Sequence, residues 1–156
     1  MTAWSPPGTP LYSRAVEAQT ARAESTTTGR RVLVVDDDPR LLHIVAMYLG
    51  IEGYDVVVAA DGAAGLEEVA KQRPDLIILD IMMPGLDGIE TCRRLRADPL
   101  TATLPVLMFS ALSGDEDVER ARLAGANHLI TKPFNLVGLG SVVRSFLNPP
   151  PAPPPG

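Results

Sequence analysis

Along the chain, short aliphatic runs alternate five times with segments whose apolar residues recur at helical spacing. The runs are VLVVD (32–36), YDVVVAA (54–60), DLIILD (75–80), PVLMFSA (105–111) and HLITKP (128–133). Uninterrupted aliphatics such as Leu76 to Leu79, with no polar alternation, predict strands covered on both faces. The segments between them predict amphipathic helices. In the first, Asp38 is the cap, Pro39 suits position N1, and Leu41, Ile44, Val45, Tyr48 and Leu49 form the inward stripe, with Gly53 closing it. Asp61 opens the second, with Leu66, Val69 and Ala70 inward. Asp87 caps the third, which turns Ile89, Cys92 and Leu95 inward and Arg93, Arg94 and Arg96 elsewhere, as a solvated face. The fourth runs from about Gly114 to Ala124 over Val118, Ala121 and Ala124. The last carries Leu136, Leu139, Val142, Val143, Phe146 and Leu147. Strand and helix in alternation predict an α/β fold: a parallel sheet with helices on both faces.

The two ends depart from this pattern. Residues 1–30 are rich in Thr, Ser, Ala, Pro and Gly without a sustained apolar period, and are expected to be a flexible tail with at most a nascent helix around Tyr12 to Glu24. Residues 149–156, PPPAPPPG, are expected to be an extended spacer. Only eight residues follow Asn148, so a single domain over residues 31–148 without an output domain is expected.

Composition narrows the class. The 156 residues are 46% hydrophobic and 4% aromatic, enough for a core of Val, Leu, Ile and Ala. A net charge of −5 argues against a nucleic-acid surface. Cys92 is the single cysteine, so no intrachain disulfide forms, which fits a reducing compartment. With no membrane-length apolar run and no secretion signal at MTAWSPPGTP, a cytoplasmic protein is expected. His43 and His128 have no Cys or His at metal-ligand spacing, which leaves zinc unsupported.

The chemistry gathers at the strand ends. Asp36 and Asp37 follow strand one, Asp80 ends strand three, Ser110 ends strand four, and Lys132 ends strand five. Open α/β sheets bind ligands beyond the carboxyl ends of their strands. Three carboxylates and one ammonium on one rim leave surplus negative charge. Like charges about 4 Å apart repel by on the order of 4 kcal/mol at an effective dielectric of about 20. A hard divalent cation such as Mg2+ relieves that repulsion and keeps water positions open for a phosphoryl oxygen. A carboxylate nucleophile acting on phosphate gives an aspartyl phosphate, which Lys132 and Ser110 would stabilise.

The motifs VLVVDDDP, LIILDIMMPGLDG, VLMFSA and LITKPF, in that order over residues 31–148, resemble the receiver domain of two-component response regulators. The resemblance implies a flavodoxin-like, doubly wound (βα)5 sheet of order 2-1-3-4-5. It implies that Asp80 is the phosphoacceptor, taking phosphate from a sensor histidine kinase or phosphotransfer protein. Asp37, Asp80 and the backbone carbonyl of Met82 would ligate Mg2+, with Asp36 holding a metal-bound water. Lys132, preceding a cis bond to Pro133, would pair with the phosphoryl oxygens. Ser110 would hydrogen-bond them, and Ala111 would keep the pocket open. Such a protein catalyses only its own phosphorylation and dephosphorylation, contacts proteins and not DNA or membrane, and is a monomer or weak homodimer.

The chain departs from the family pattern in three respects. Leu129 stands where receivers carry Tyr or Phe. Gly138 and Gly140 lie within the last helix, each costing roughly 1 kcal/mol relative to Ala. Met82 and Leu112 stand where, in receivers, side chains flank the path of a hydrolytic water; apolar groups there would not orient it by hydrogen bonds, so a long-lived aspartyl phosphate is expected. The competing functions are a phosphorylation-independent receiver-like module, which Leu129 leaves open, and a haloacid-dehalogenase-like phosphatase. The latter needs an acid/base Asp where this chain has Met82. A dinucleotide site fails because VVDDDP replaces the glycine-rich turn after strand one.

Overall fold

A computed structural model describes residues 29–111 and 114–148. The expected tails, apart from Gly29 and Arg30, and Leu112 lie outside the described residues. Five strands alternate with five helices: β1 (Arg31–Val35), α1 (Pro39–Ile51), β2 (Asp55–Ala59), α2 (Gly62–Lys71), β3 (Leu76–Asp80), α3 (Gly88–Ala97), β4 (Val106–Ser110), α4 (Asp115–Ala124), β5 (His128–Thr131) and α5 (Leu136–Leu147). All strand pairs are parallel, and the sheet order is β2-β1-β3-β4-β5, as expected. No helix among the described residues is long and apolar enough to cross a membrane.

Every residue of β3 and β4 is buried, whereas the edge strands β2 and β5 are only partly covered. That difference follows from position, since central strands meet helices on both faces. On one face, Val32, Val34, Ile78, Leu107 and Phe109 pack with Leu42, Val45, Leu49, Leu139 and Val143 of α1 and α5. On the other, Leu33, Val35, Ile77, Leu79 and Met108 pack with Val69, Cys92, Leu95, Ala121 and Ala124 of α2, α3 and α4. Asp38, Asp61 and Asp87 cap their helices by accepting from the backbone N–H groups of Arg40, Ala64 and Glu90. Each cap satisfies a donor the helix cannot.

Five details of the expected helices need correction. In α1 the buried residues are Leu42, Val45 and Leu49, while Ile44 is 48% exposed. At about 100° per residue, Ile44 turns outward once Val45 faces the sheet. In α2, Ala70 is exposed and the buried positions are Gly62, Gly65 and Val69. The helix approaches so closely that a Cβ at Gly65 would lie 2.9 Å from a Val35 methyl. Val118 of α4 is exposed as well, leaving Ala121 and Ala124 inside. Arg96 is not part of a solvated face: its guanidinium donates to the carbonyls of Gly125 (2.9 Å) and Leu104 (2.7 Å) and to the side chain of Asn127 (2.8 Å). It thereby ties α3 to the turn after α4. Gly140, expected only to weaken α5, is buried where a Cβ would sit 3.0 Å from the Tyr48 ring, so its smallness lets α1 and α5 approach.

Gly88 matters most for the rim. A Cβ there would collide with the backbone carbonyl of Asp80, and the Gly88 N–H donates to Ile81 O at 3.0 Å. The end of β3 is thus clamped against the start of α3. Gly88→Ala is expected to cost about 1–3 kcal/mol through overpacking against rigid backbone. Gly50→Ala, on an exposed turn of α1 where a Cβ meets nothing within 4 Å, should stabilise by about 0.5–1 kcal/mol. Urea unfolding of the two variants checks the pair.

Candidate functional site

The carboxyl edge of the sheet brings the acidic residues together. Asp36 continues the β1 ladder through its N–H to Ala59 O (3.2 Å) and is fully buried. Its Oδ1 accepts from the Asp38 N–H at 2.9 Å, which fixes the carboxylate's direction. Asp37, next along, is exposed. Asp80, the last residue of β3, is 4% exposed. Carboxylate oxygens of Asp36, Asp37 and Asp80 lie within 4.8 Å of one another. Among the described residues they form the one group of three or more such side chains that could hold a metal ion. Both histidines are exposed and lie outside it.

Lys132 reaches this cluster from beyond β5. Its ammonium stands 2.9 Å from Asp36 Oδ2 and 3.4 Å from Asp80 Oδ1. Its backbone N–H donates to Ser110 O at 2.7 Å, and the Lys132–Pro133 bond is cis. Ser110 is buried at the end of β4, one residue beyond Phe109, the register partner of Asp80; Ala111 beside it is exposed. Met82, two residues beyond Asp80, is 61% exposed. Leu129, at the family's aromatic position, is half-buried against the core on the α2–α4 side.

Electrostatics follow from this crowding. Burial, and then the neighbouring Asp36 charge, push the Asp80 carboxyl up to about 6, although Lys132 and the Met82 N–H pull the other way. Burial alone would lower the Lys132 pKa, but its hydrogen bond to Asp36 and the charge of Asp80 outweigh it, so the net direction is upward. One ammonium therefore does not neutralise the cluster. Carboxylates this close are the hard oxygen donors that Mg2+ prefers, and the donor set fits that ion.

One participant escaped the sequence reading. The Lys132 ammonium also lies over the ring of Phe109, 5.6 Å from its centroid, and that ring stacks on Phe134 at 4.7 Å and 12°. Phe109 reads in VLMFSA as one more core residue; its only signal is an aromatic directly before Ser110.

The family model for the response regulator receiver domain matches residues 32–144. The chain belongs to that family. It is 42% identical over 117 residues to the DNA-binding dual master transcriptional regulator RpaA of Synechocystis, covering 75% of this chain and 48% of that protein. It is likewise 42% identical over 116 residues to the response regulator PleD of Caulobacter vibrioides, covering 74% and 26%. The chain thus spans about half or less of the length of these relatives. Among solved structures, the chemotaxis protein CheY4 of Vibrio cholerae matches with a TM-score of 0.73 and 32% identity, over 76% of this chain and 98% of that one. The beryllofluoride-activated receiver domain of Klebsiella pneumoniae RstA matches with a TM-score of 0.71 and 34% identity, over 76% and 99%.

The raised Asp80 pKa has a stability consequence. The folded chain keeps the Asp80 proton up to about pH 6, while the unfolded chain loses it near 3.8. Between those values the folded state binds more protons, so this group's contribution falls as pH rises, and above pH 6 the loss is complete. The total is on the order of 2–3 kcal/mol. In chelator, urea unfolding should show that Asp80→Asn gains stability relative to the native chain as pH rises from about 4 to 6. A constant difference across that range would contradict the assignment.

Proposed function

We propose that the protein is a phosphoacceptor of two-component signalling that takes a phosphoryl group on Asp80 from the phosphohistidine of a sensor histidine kinase or histidine phosphotransfer protein. The observation that carries this reading is the Lys132 ammonium held at 2.9 and 3.4 Å from Asp36 and Asp80 inside the three-carboxylate cluster. In this reading Asp37, Asp80 and the backbone carbonyl of Met82 would hold Mg2+, and Asp36 would orient a water of its hydration shell. When bound, Mg2+ neutralises charge on the acceptor and phosphoryl oxygens. An ionised Asp80 oxygen attacks phosphorus, the P–N bond breaks, and the electron pair returns to the departing imidazole. Above pH 6 the carboxylate is in the form that attacks. Lys132 then pairs with a phosphoryl oxygen in place of the Asp80 oxygen it now faces. Ser110 donates to another, and Ala111 leaves room beside it. No external substrate is turned over.

Output passes through contacts with another protein in this reading. Near end-to-end coverage of CheY4 supports a single-domain regulator. The greater length of RpaA, named as DNA-binding, supports a receiver joined to an output domain. The size of the endogenous protein on an immunoblot separates the two. A haloacid-dehalogenase-like phosphatase is disfavoured, because the Met82 thioether has no proton to exchange. A phosphorylation-independent module draws its support from Leu129, which packs into the core where the family's aromatic would move.

Incubation with Mg2+ and acetyl phosphate should add one phosphoryl mass, absent in Asp80→Asn and without Mg2+. No added mass would favour the inert module, and hydrolysis of free phosphomonoesters the phosphatase. The phosphoryl group should also persist. Met82→Asn combined with Leu112→Glu is expected to speed its decay, followed on phosphate-affinity gels; equal or slower decay in the double variant would refute the blocked-water account.

A further inference from the structure

Among the described residues the Lys132 ammonium meets Asp36, Asp80 and the Phe109 ring, and these partners are not equivalent. Asp36 and Asp80 both belong to the carboxylate cluster, so a metal ion or a phosphoryl group arriving there competes for the oxygens that Lys132 now uses. The third partner is the Phe109 ring, which belongs to neither. Phe109 is fully buried, and its position is doubly set. It is the register partner of Asp80 across the β3–β4 ladder, and its ring is backed by Phe134 in a near-parallel stack. A lysine stem is flexible and its ammonium is a compact point charge, so directional hold must come from outside the side chain. A ring face within about 6 Å attracts a cation through its quadrupole, more strongly where water is excluded.

We infer that Phe109, backed by Phe134, is a positioning residue for phosphoryl transfer: its ring face holds the Lys132 ammonium over the site while the carboxylate contacts are exchanged for phosphoryl contacts. This rests on the phosphoacceptor reading of Asp80. The stack also extends the contact outward. Phe134 lines a groove of about 420 Å³ with Leu41, Ile44 and Leu136, so the ring that backs the platform is part of the α1–α5 surface.

Mono-, di- and trifluorophenylalanine at position 109 drain the ring face stepwise while nearly keeping its shape, and the same series at Phe146 controls for packing. Phe146 packs against the same core from α5, and among the described residues its ring pairs with the His128 imidazole and not with an ammonium. With Mg2+ and acetyl phosphate, the rate of Asp80 phosphorylation should fall with each fluorine at 109, by roughly two- to tenfold across the series. It should stay unchanged along the series at 146. The Lys132 ammonium nitrogen and proton shifts, read by NMR in the metal-free chain, should move in step with fluorination at 109. Equal rates and unmoved shifts across the 109 series, in a chain that is phosphorylated normally, overturn the inference and leave the phosphoacceptor reading intact. Unmoved shifts overturn it whatever the rates. If the unsubstituted chain takes no phosphoryl group, the parent reading fails, and with it the transfer role; the ammonium shifts then decide alone whether the ring holds Lys132.

Discussion

The structure turns on one ammonium set among carboxylates that outnumber it. Asp36 is fully buried, and Asp80 nearly so. Desolvation of this kind costs several kcal/mol for each unpaired charge. Lys132 offsets part of that cost from 2.9 and 3.4 Å away. What remains uncompensated appears in the raised Asp80 pKa. Such a site is poised to take up further positive charge, which gives a core strand a reason to end in aspartate. A chain stabilised only for its own sake would carry an apolar or amide group there.

The rest of the fold supplies the register. Parallel pairing of β1 with β3 and β3 with β4 brings Asp36, Asp80 and Ser110 to one edge, and burial of both central strands on two faces prevents their sliding. The contact of Gly88 with the Asp80 backbone fixes the end of β3 along its own axis. Lys132 is held at its backbone by Ser110, at its head by the two carboxylates, and below by Phe109. These contacts come from β4, which carries both Ser110 and Phe109, and from the ends of β1 and β3, so the site exists only in the folded chain.

The alternation of strands with helices and the acidic rim were legible in the sequence because both follow from local signals, whereas the strand order came with the family resemblance. Aliphatic runs stop at charged residues, and Asp38, Asp61 and Asp87 sit where helix caps belong. Faces of helices were read less well where small residues carry the packing. The burial of Gly65 follows from how closely α2 lies on β1, and that of Gly62 from the Leu86 carbonyl and Thr91 beside it; a search for large apolar side chains passes over both. Arg96 looks like any helix-surface arginine until the turns that receive its guanidinium are in place. Phe109 was invisible as a site residue for a related reason: its partner on the rim, Lys132, lies just past the next strand and is charged, a pairing that apolar periodicity does not encode.

The uncompensated charge itself can be measured. Calorimetric titration with Mg2+ should show one ion bound per chain at a pH well above 6. Its affinity should drop as the solution is acidified through that value, and binding should be abolished in Asp37→Asn combined with Asp80→Asn. Binding that is absent in the native chain, or that survives the double variant unchanged, would contradict the account.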